Sequence, residues 1–274
     1  MKAELLNIAD HDIYVRYRFS DNSRSTVLFL HGIGESGRSF YDAVSLLPDH
    51  NLVIPDLPGF GKSEHVDRNF EYSFSYQIKL IQELIRHFDI NEIILVAHSW
   101  GGMLGSLLCQ DDKEGRIAKY VCIEGGISKS STILSLKAID VLGKLDNDME
   151  KFGDWLWNGD LKRVLLEDLE SSSTLKYYDS LLESDPMAFA HTSQEICERL
   201  NSEDKDGNNE ISLAYKDIKI PKIYAIGSRP IMNDAKKFLI KNNLDMRVFD
   251  VPSHWIMLDA REEFYSFLRD FIAS

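Results

Sequence analysis

The run Glu92-Ile-Ile-Leu-Val-Ala-His-Ser-Trp-Gly-Gly102 constrains this chain more than any other segment. Its unbroken apolar half reads as a strand covered on both faces. No polar loop follows: Ser99 sits between that strand and a stretch of small and apolar residues that reads as a helix. A residue at so sharp a corner projects its side chain out of the turn, and the next backbone N–H, that of Trp100, faces the same space. This is the nucleophile-elbow arrangement, generally written G-x-S-x-G. Here it is Ala97-His98-Ser99-Trp100-Gly101, with alanine, the smallest substitute, at the first position. Gly101 and Gly102 carry no side chain where helix and strand approach one another. Alone, the pattern fits an ordinary turn with a serine N-cap equally well, so its meaning rests on what else the chain carries.

Three further segments occur in a compatible order. Thr26-Val-Leu-Phe-Leu-His-Gly-Ile-Gly34 is a second apolar strand, ending in His31-Gly32. A glycine there lets the chain turn tightly, which makes the N–H of Ile33 a candidate second donor to an oxyanion, beside that of Trp100. One preset donor of this kind contributes roughly 3–4 kcal/mol to catalysis. The His31 side chain itself reads as a buried brace for the loop. Leu52 to Ser63 is a strand followed by a Pro/Gly loop ending Gly61-Lys62-Ser63. A phosphate-binding P-loop needs glycine where this chain has Asp56, so Asp56 and the glycines are expected to shape a loop beside the site. Near the C-terminus, Arg247 to Asp259 reads as a short strand leading to a turn with His254, before an amphipathic helix carrying Phe264, Phe267, Leu268 and Phe271.

Together these segments resemble the α/β-hydrolase superfamily, and the resemblance covers nearly the whole chain, from paired strands at Leu5–Ala9 and Ile13–Arg18 to the final helix. It implies an α/β fold: a mostly parallel eight-stranded sheet with helices on both faces and a helical lid inserted after the sixth strand. It also implies Ser99 as nucleophile and His254 as general base. The motif set is specific for the superfamily and not for a substrate.

The third member of the triad departs from the common pattern. Most relatives carry G-x-x-D after the seventh strand, but here Gly227 is followed by Ser228-Arg229-Pro230, so the expected aspartate position is proline. Glu124 ends the sixth strand, Lys119-Tyr-Val-Cys-Ile-Glu124, and precedes Gly125-Gly126. The haloalkane dehalogenases and their luciferase relatives place their acid there, and on that resemblance Glu124 is assigned to orient His254. Asp234 and Asp250 remain candidates. That branch uses an aspartate nucleophile, whereas this chain has serine. An aspartyl ester is therefore out of reach, which argues against haloalkane dehalogenase and epoxide hydrolase chemistry and for acyl transfer through a serine ester.

The 274 residues suit one large domain, divided here into a core of 1–125 and 218–274 and a helical lid of 126–217. Lids shape largely apolar pockets, so Trp155, Trp157, Tyr177, Tyr178, Met187, Phe189 and His191 are lid candidates for the pocket, while Trp100 and Trp255 directly follow Ser99 and His254 and are better placed; Trp155, Trp157 and Trp255 are taken as the substrate pocket. Ser202 to Glu210 superficially follows a calcium loop, with Gly207 at its sixth position, but the twelfth position is Leu213 rather than a bidentate glutamate. It reads as a solvated loop, and no histidine–carboxylate spacing suggests zinc. The net charge of −13 disfavours nucleic acid and anionic membranes as partners. The N-terminus has no apolar signal core, no run reaches the ~18 residues of a membrane span, and three scattered cysteines suggest no disulfide framework. A cytoplasmic location is the default expectation, and oligomeric state is left open.

The expected function is hydrolysis of a carboxylic ester or related acyl bond in a small, partly apolar substrate, through an acyl-enzyme. No metal, nucleotide or organic cofactor is required. Lactonase, thioesterase, small-peptide and carbon–carbon hydrolase chemistry fit the same triad. A non-catalytic ligand sensor, its usual acid lost at Pro230, is the alternative of a different class.

Overall fold

The strands β3 (Thr26–Leu30), β4 (Asn51–Pro55) and β5 (Ile93–His98) are buried at every position. Continuous apolar runs of this kind need both sheet faces covered. The computed structural model describes residues 1–20, 25–65, 72–159, 161 and 172–274. Among these, β3, β4 and β5 are the centre of an eight-stranded sheet of order β1-β2-β4-β3-β5-β6-β7-β8, completed by β1 (Lys2–Ile8), β2 (His11–Arg18), β6 (Ile117–Ile123), β7 (Lys222–Ile226) and β8 (Met246–Val248). The β1–β2 hairpin and the β2–β4 pairing are antiparallel, and all other pairings are parallel. The first strand stops at Ile8 rather than at Ala9, because Ala9 and Asp10, with φ of 49° and 69°, form the tight hairpin turn.

Alternation along the strands sorts the core into two layers. Leu28, Leu30, Leu95 and Ala97 pack on one side, while Val27, Phe29, Ile94 and Val96 pack on the other. The helices α1 (Phe74–His87) and α2 (Trp100–Asp111) cover the first layer, with Ile78, Ile81, Leu84 and Ile85 of α1 turned inward at helical spacing. The final helix, α9 (Arg261–Ala273), buries Phe264, Tyr265 and Leu268 in the second layer.

Between β6 and β7 the described residues include the α-helices α3 (Ile133–Lys144), α4 (Met149–Asn158), α5 (Ser172–Leu181), α6 (Pro186–Asn201) and α7 (Glu210–Asp217). Both α3 and α4 pack on α6. Asp185 caps α6 by accepting the Met187 N–H at 2.9 Å, and it also accepts the Tyr72 hydroxyl at 2.7 Å, tying this helical layer to the core. By contrast, α7 packs against α2, and its Tyr215 lies between Tyr120 of β6 and Tyr224 of β7. The segment expected as one lid thus ends in a helix that closes a sheet face. α8 (Asn233–Lys241) follows β7. The loop that resembled a calcium site is closed on itself: Asp204 Oδ1 accepts the N–H groups of Asp206 and Asn208 at 2.8 and 2.9 Å. No helix among the described residues is long and apolar enough to cross a membrane.

Candidate active site

The site lies where the chain changes direction across the sheet. β3 has β4 on one side and β5 on the other, so the loops after β3 and β5 diverge and leave a crevice at the C-terminal strand ends. Ser99 occupies the corner between β5 and α2 with φ 52° and ψ −119°. A non-glycine residue in that region is strained and persists only where its surroundings over-determine it. They do: the Ser99 N–H donates to Ile123 O at 2.8 Å, and Ser99 O accepts from Gly102 and Met103 at 2.9 and 3.2 Å. The N–H groups of the first helical turn, that of Trp100 among them, have no acceptor within the helix. Gly101 and Gly102 are needed because of close backbone approach. A Cβ on Gly101 would lie 2.5 Å from His31 O, and one on Gly102 would lie 2.6 Å from Gly125 Cα.

The loop after β3 is held by its histidine. His31 is fully buried, its Nδ1–H donating to Gly32 O at 2.8 Å and its Nε2 accepting the Leu57 N–H at 2.9 Å. That pairing sets the neutral tautomer, and burial pushes its pKa down. Asp56, the residue that excluded a P-loop, pairs with Arg16 at 2.6 Å and accepts the N–H groups of Gly37 and Lys62 at 2.7 and 2.9 Å. It organises the loop behind the site. Ile33 reaches the cavity.

Glu124, at the end of β6, also has positive φ, 44°. Its carboxyl is buried, Oε1 accepting the Gly227 N–H at 2.9 Å and Oε2 lying 2.6 Å from His254 Nδ1. Arg229 pairs with the same Oε2. Its Nη2 is also 2.9 Å from His254 Nδ1. Both nitrogens are donors when Nδ1 carries its proton, so Glu124 Oε2 is the acceptor they share. Burial acts to raise the Glu124 pKa, but the hydrogen bond and charge of His254, the Arg229 guanidinium and the Gly227 N–H outweigh it and hold the carboxyl below its usual value. Asp234 instead pairs with Lys237 on the exposed surface of α8, and Asp250 is exposed. Pro230 begins a single helical turn, Pro230–Met232.

His254 is 26% exposed, its open side facing a cavity of about 1030 Å³ that Ser99, Glu124, Glu35 and Arg229 also line. Desolvation by burial pushes its pKa down, the neighbouring His98 acts in the same direction, and Glu124 opposes both; the net direction is down. With Nδ1 on Glu124, Nε2 is the nitrogen left to accept a proton.

The aromatic candidates divide. Trp255 lines the cavity, its indole N–H donating to Glu35 Oε1 at 3.0 Å and its ring 5.0 Å from that of Tyr177, another lining residue. Trp155 and Trp157 do not line it: they lie in α4, where Trp155 packs on Phe152 and the Trp157 carbonyl accepts from Tyr178 at 2.5 Å. Two residues apart, they lie on nearly opposite sides of α4, flanking its buried Phe152, Gly153 and Leu156, and neither lines the cavity among the described residues. The Trp100 ring is fully buried against Phe60, Phe74 and His31, so only its backbone bears on the site. Phe189 is likewise buried, whereas Met187 and Tyr178 are partly buried against the same core. Glu35, His98 and Arg229 carry no signal in the sequence, because single polar residues in a loop or at a strand end belong to no periodic pattern.

A sequence profile of the alpha/beta hydrolase fold matches residues 25–207. The uncharacterized hydrolase YugF of Bacillus subtilis is 32% identical over 115 residues, 41% of each chain. A haloalkane dehalogenase of Psychrobacter cryohalolentis is 27% identical over 133 residues, 41% of this chain and 44% of the relative. The chain thus spans less than half the length of either curated relative. Among solved structures, an esterase from Exiguobacterium antarcticum superposes with a TM-score of 0.74 over 100% of both chains at 16% identity, a likeness of fold.

Proposed function

The chain belongs to the alpha/beta hydrolase fold family, and from that membership we propose that it is a serine hydrolase, cleaving a carboxylic ester or related acyl bond of a small, partly apolar substrate. One observation carries this reading: Ser99, strained at its corner, shares a cavity with His254, whose Nδ1 meets the buried Glu124 at 2.6 Å. In this reading Ser99 Oγ attacks the substrate carbonyl while His254 Nε2 takes the hydroxyl proton. Glu124 holds the tautomer and stabilises the imidazolium. The N–H groups of Ile33 and Trp100 receive the oxyanion. The tetrahedral adduct collapses, the proton passes from Nε2 to the leaving group, and the acyl group stays on Ser99. Water, deprotonated by the same nitrogen, then releases the acid and restores the serine. Apolar lining from Ile33, Met103, Leu134, Leu161 and Met232 suits a partly apolar substrate. The dehalogenase relative does not lend its reaction, because dehalogenation through an alkyl ester needs a carboxylate where this chain has Ser99.

A fluorophosphonate probe tests the reading directly. The expected result is stoichiometric labelling of Ser99, with turnover of short-chain aryl esters in a panel that includes thioesters, lactones and amides. No labelling at Ser99, with the protein folded, would leave the sensor reading in its place.

The pH dependence follows from His254. A general base works only when neutral, and its pKa lies below the ordinary histidine value of about 6.5. Activity is therefore full above that lowered pKa and is lost as pH falls through it. The acid limb of kcat/KM is expected below pH ~6.5, and a limb at or above that value would contradict the assignment.

A further inference from the structure

Beside His254 lies a second buried pair that the mechanism above does not use. Glu35, in the loop after β3, and His98, the last residue of β5, are 2% and 0% exposed. Glu35 Oε1 lies 2.8 Å from His98 Nδ1 and accepts the Trp255 indole N–H at 3.0 Å, while Oε2 accepts the Ser39 hydroxyl at 2.8 Å. His98 Nε2 lies 2.9 Å from the backbone carbonyl oxygen of His254.

These contacts determine the charges. Both ring nitrogens of His98 face an acceptor, one a carboxylate and one a carbonyl. A neutral imidazole has only one N–H, so one acceptor would confront a lone pair; with two protons Nε2–H donates to the His254 carbonyl and Nδ1–H stands in ion-pair contact with the Glu35 carboxylate, not aligned on it as a hydrogen bond. Glu35 accepts from two donors, lies in ion-pair contact with His98, and needs no proton of its own. A buried anion is stable only when paired and hydrogen-bonded, and His98 and its neighbours supply that.

We propose that Glu35 and His98 are positioning residues, a buried carboxylate–imidazolium pair that grips the His254 loop and sets a fixed positive charge beside the His254 ring. The grip has two points: the carbonyl of His254 and the indole of Trp255. The two imidazole rings stand 4.5 Å apart, so the cation disfavours a second cation on His254. The other charged groups around His254 are Glu124 at the end of β6, Arg229 after β7, and Asp259, which accepts from Ser253 and Ser173. Burial acts to raise the Glu35 pKa, but His98, the Ser39 hydroxyl and His254 bring it down to about 2.

The inference rests on His254 being the general base, and its test separates the two. Histidine ¹⁵N spectra of the wild-type protein, followed against pH, report protonation whether or not the protein turns over substrate. From the two acceptors that face its ring, His98 is expected to show two protonated nitrogens. In His98→Gln, the His254 titration is expected to move to higher pH and the acid limb of kcat/KM to move with it. Both His98→Gln and Glu35→Gln should lower kcat by about 10- to 100-fold with little change in KM, the scale of a slight misplacement of a reacting group. Trp255→Phe, which keeps the ring and loses one grip point, should fall between them and wild type. A His98 ring that is singly protonated at neutral pH overturns the proposal, and so does a His254 titration unmoved by His98→Gln. If His98→Gln does not fold, the wild-type spectra alone decide. Absence of Ser99 labelling, with His98 doubly protonated, would instead remove the hydrolase reading and leave the ion pair standing.

Discussion

Ser99→Ala is expected to reduce kcat for every ester the wild type cleaves by about 10⁶-fold, the loss seen when a serine nucleophile is removed from a working triad. No other group at the site offers an alcohol oxygen at the same corner. Residual hydrolysis above the water rate should remain, because the backbone donors and the pocket are untouched. The fold should survive, since the Ser99 side chain makes no capping bond to α2 and its backbone bonds to Ile123, Gly102 and Met103 are independent of the hydroxyl. Turnover and thermal melting of the two proteins check this together. A mutant that melts like wild type and still turns over at a comparable rate would eliminate the covalent mechanism.

Glu124→Gln is expected to lower kcat by about 10⁴-fold, as loss of the orienting carboxylate does in a related triad. The side chain keeps its shape, but its amide nitrogen becomes a donor. Turned toward His254 Nδ1, it shifts the imidazole proton to Nε2 and occupies the nitrogen that must accept from Ser99. Turned the other way, it no longer counters the imidazolium. Arg229 also loses the anion it shares with His254. Asp234→Asn and Asp250→Asn should stay near wild type, since one carboxylate pairs with Lys237 at the surface and the other is exposed. Near-normal turnover in Glu124→Gln beside a dead aspartate mutant would force the triad to be redrawn.

Local order determined what could be read without coordinates. An apolar run that is buried on both faces advertises itself in consecutive residues, so β3, β4 and β5 were legible, as was the corner at Ser99 followed by two glycines. Glu124 could be singled out because it ends an apolar strand where the dehalogenase-like branch places its acid, and Pro230 because it stands where the common pattern has its acid. The expectation failed for Trp155 and Trp157. Tryptophans in a helix show that it packs against something, yet the residues themselves do not say which neighbour covers them. In α4 that neighbour is the helical layer, and Tyr177 and Trp255 stand at the cavity instead.

What the tertiary structure decided is which distant groups meet. Glu124 and His254 are 130 residues apart, and Glu35 and Trp255 are 220 apart. They come together because parallel strands carry their C-terminal ends to one edge of the sheet, at the point where the chain reverses direction. Strand order and loop path set those meetings, and neither is encoded in the spacing of the residues that meet. The sequence alone therefore specified the strands, the turn at Ser99 and the carboxylate at a strand end. The shared acceptor of Arg229 and His254, and the buried charge of Glu35 and His98, exist only once the sheet has closed around them.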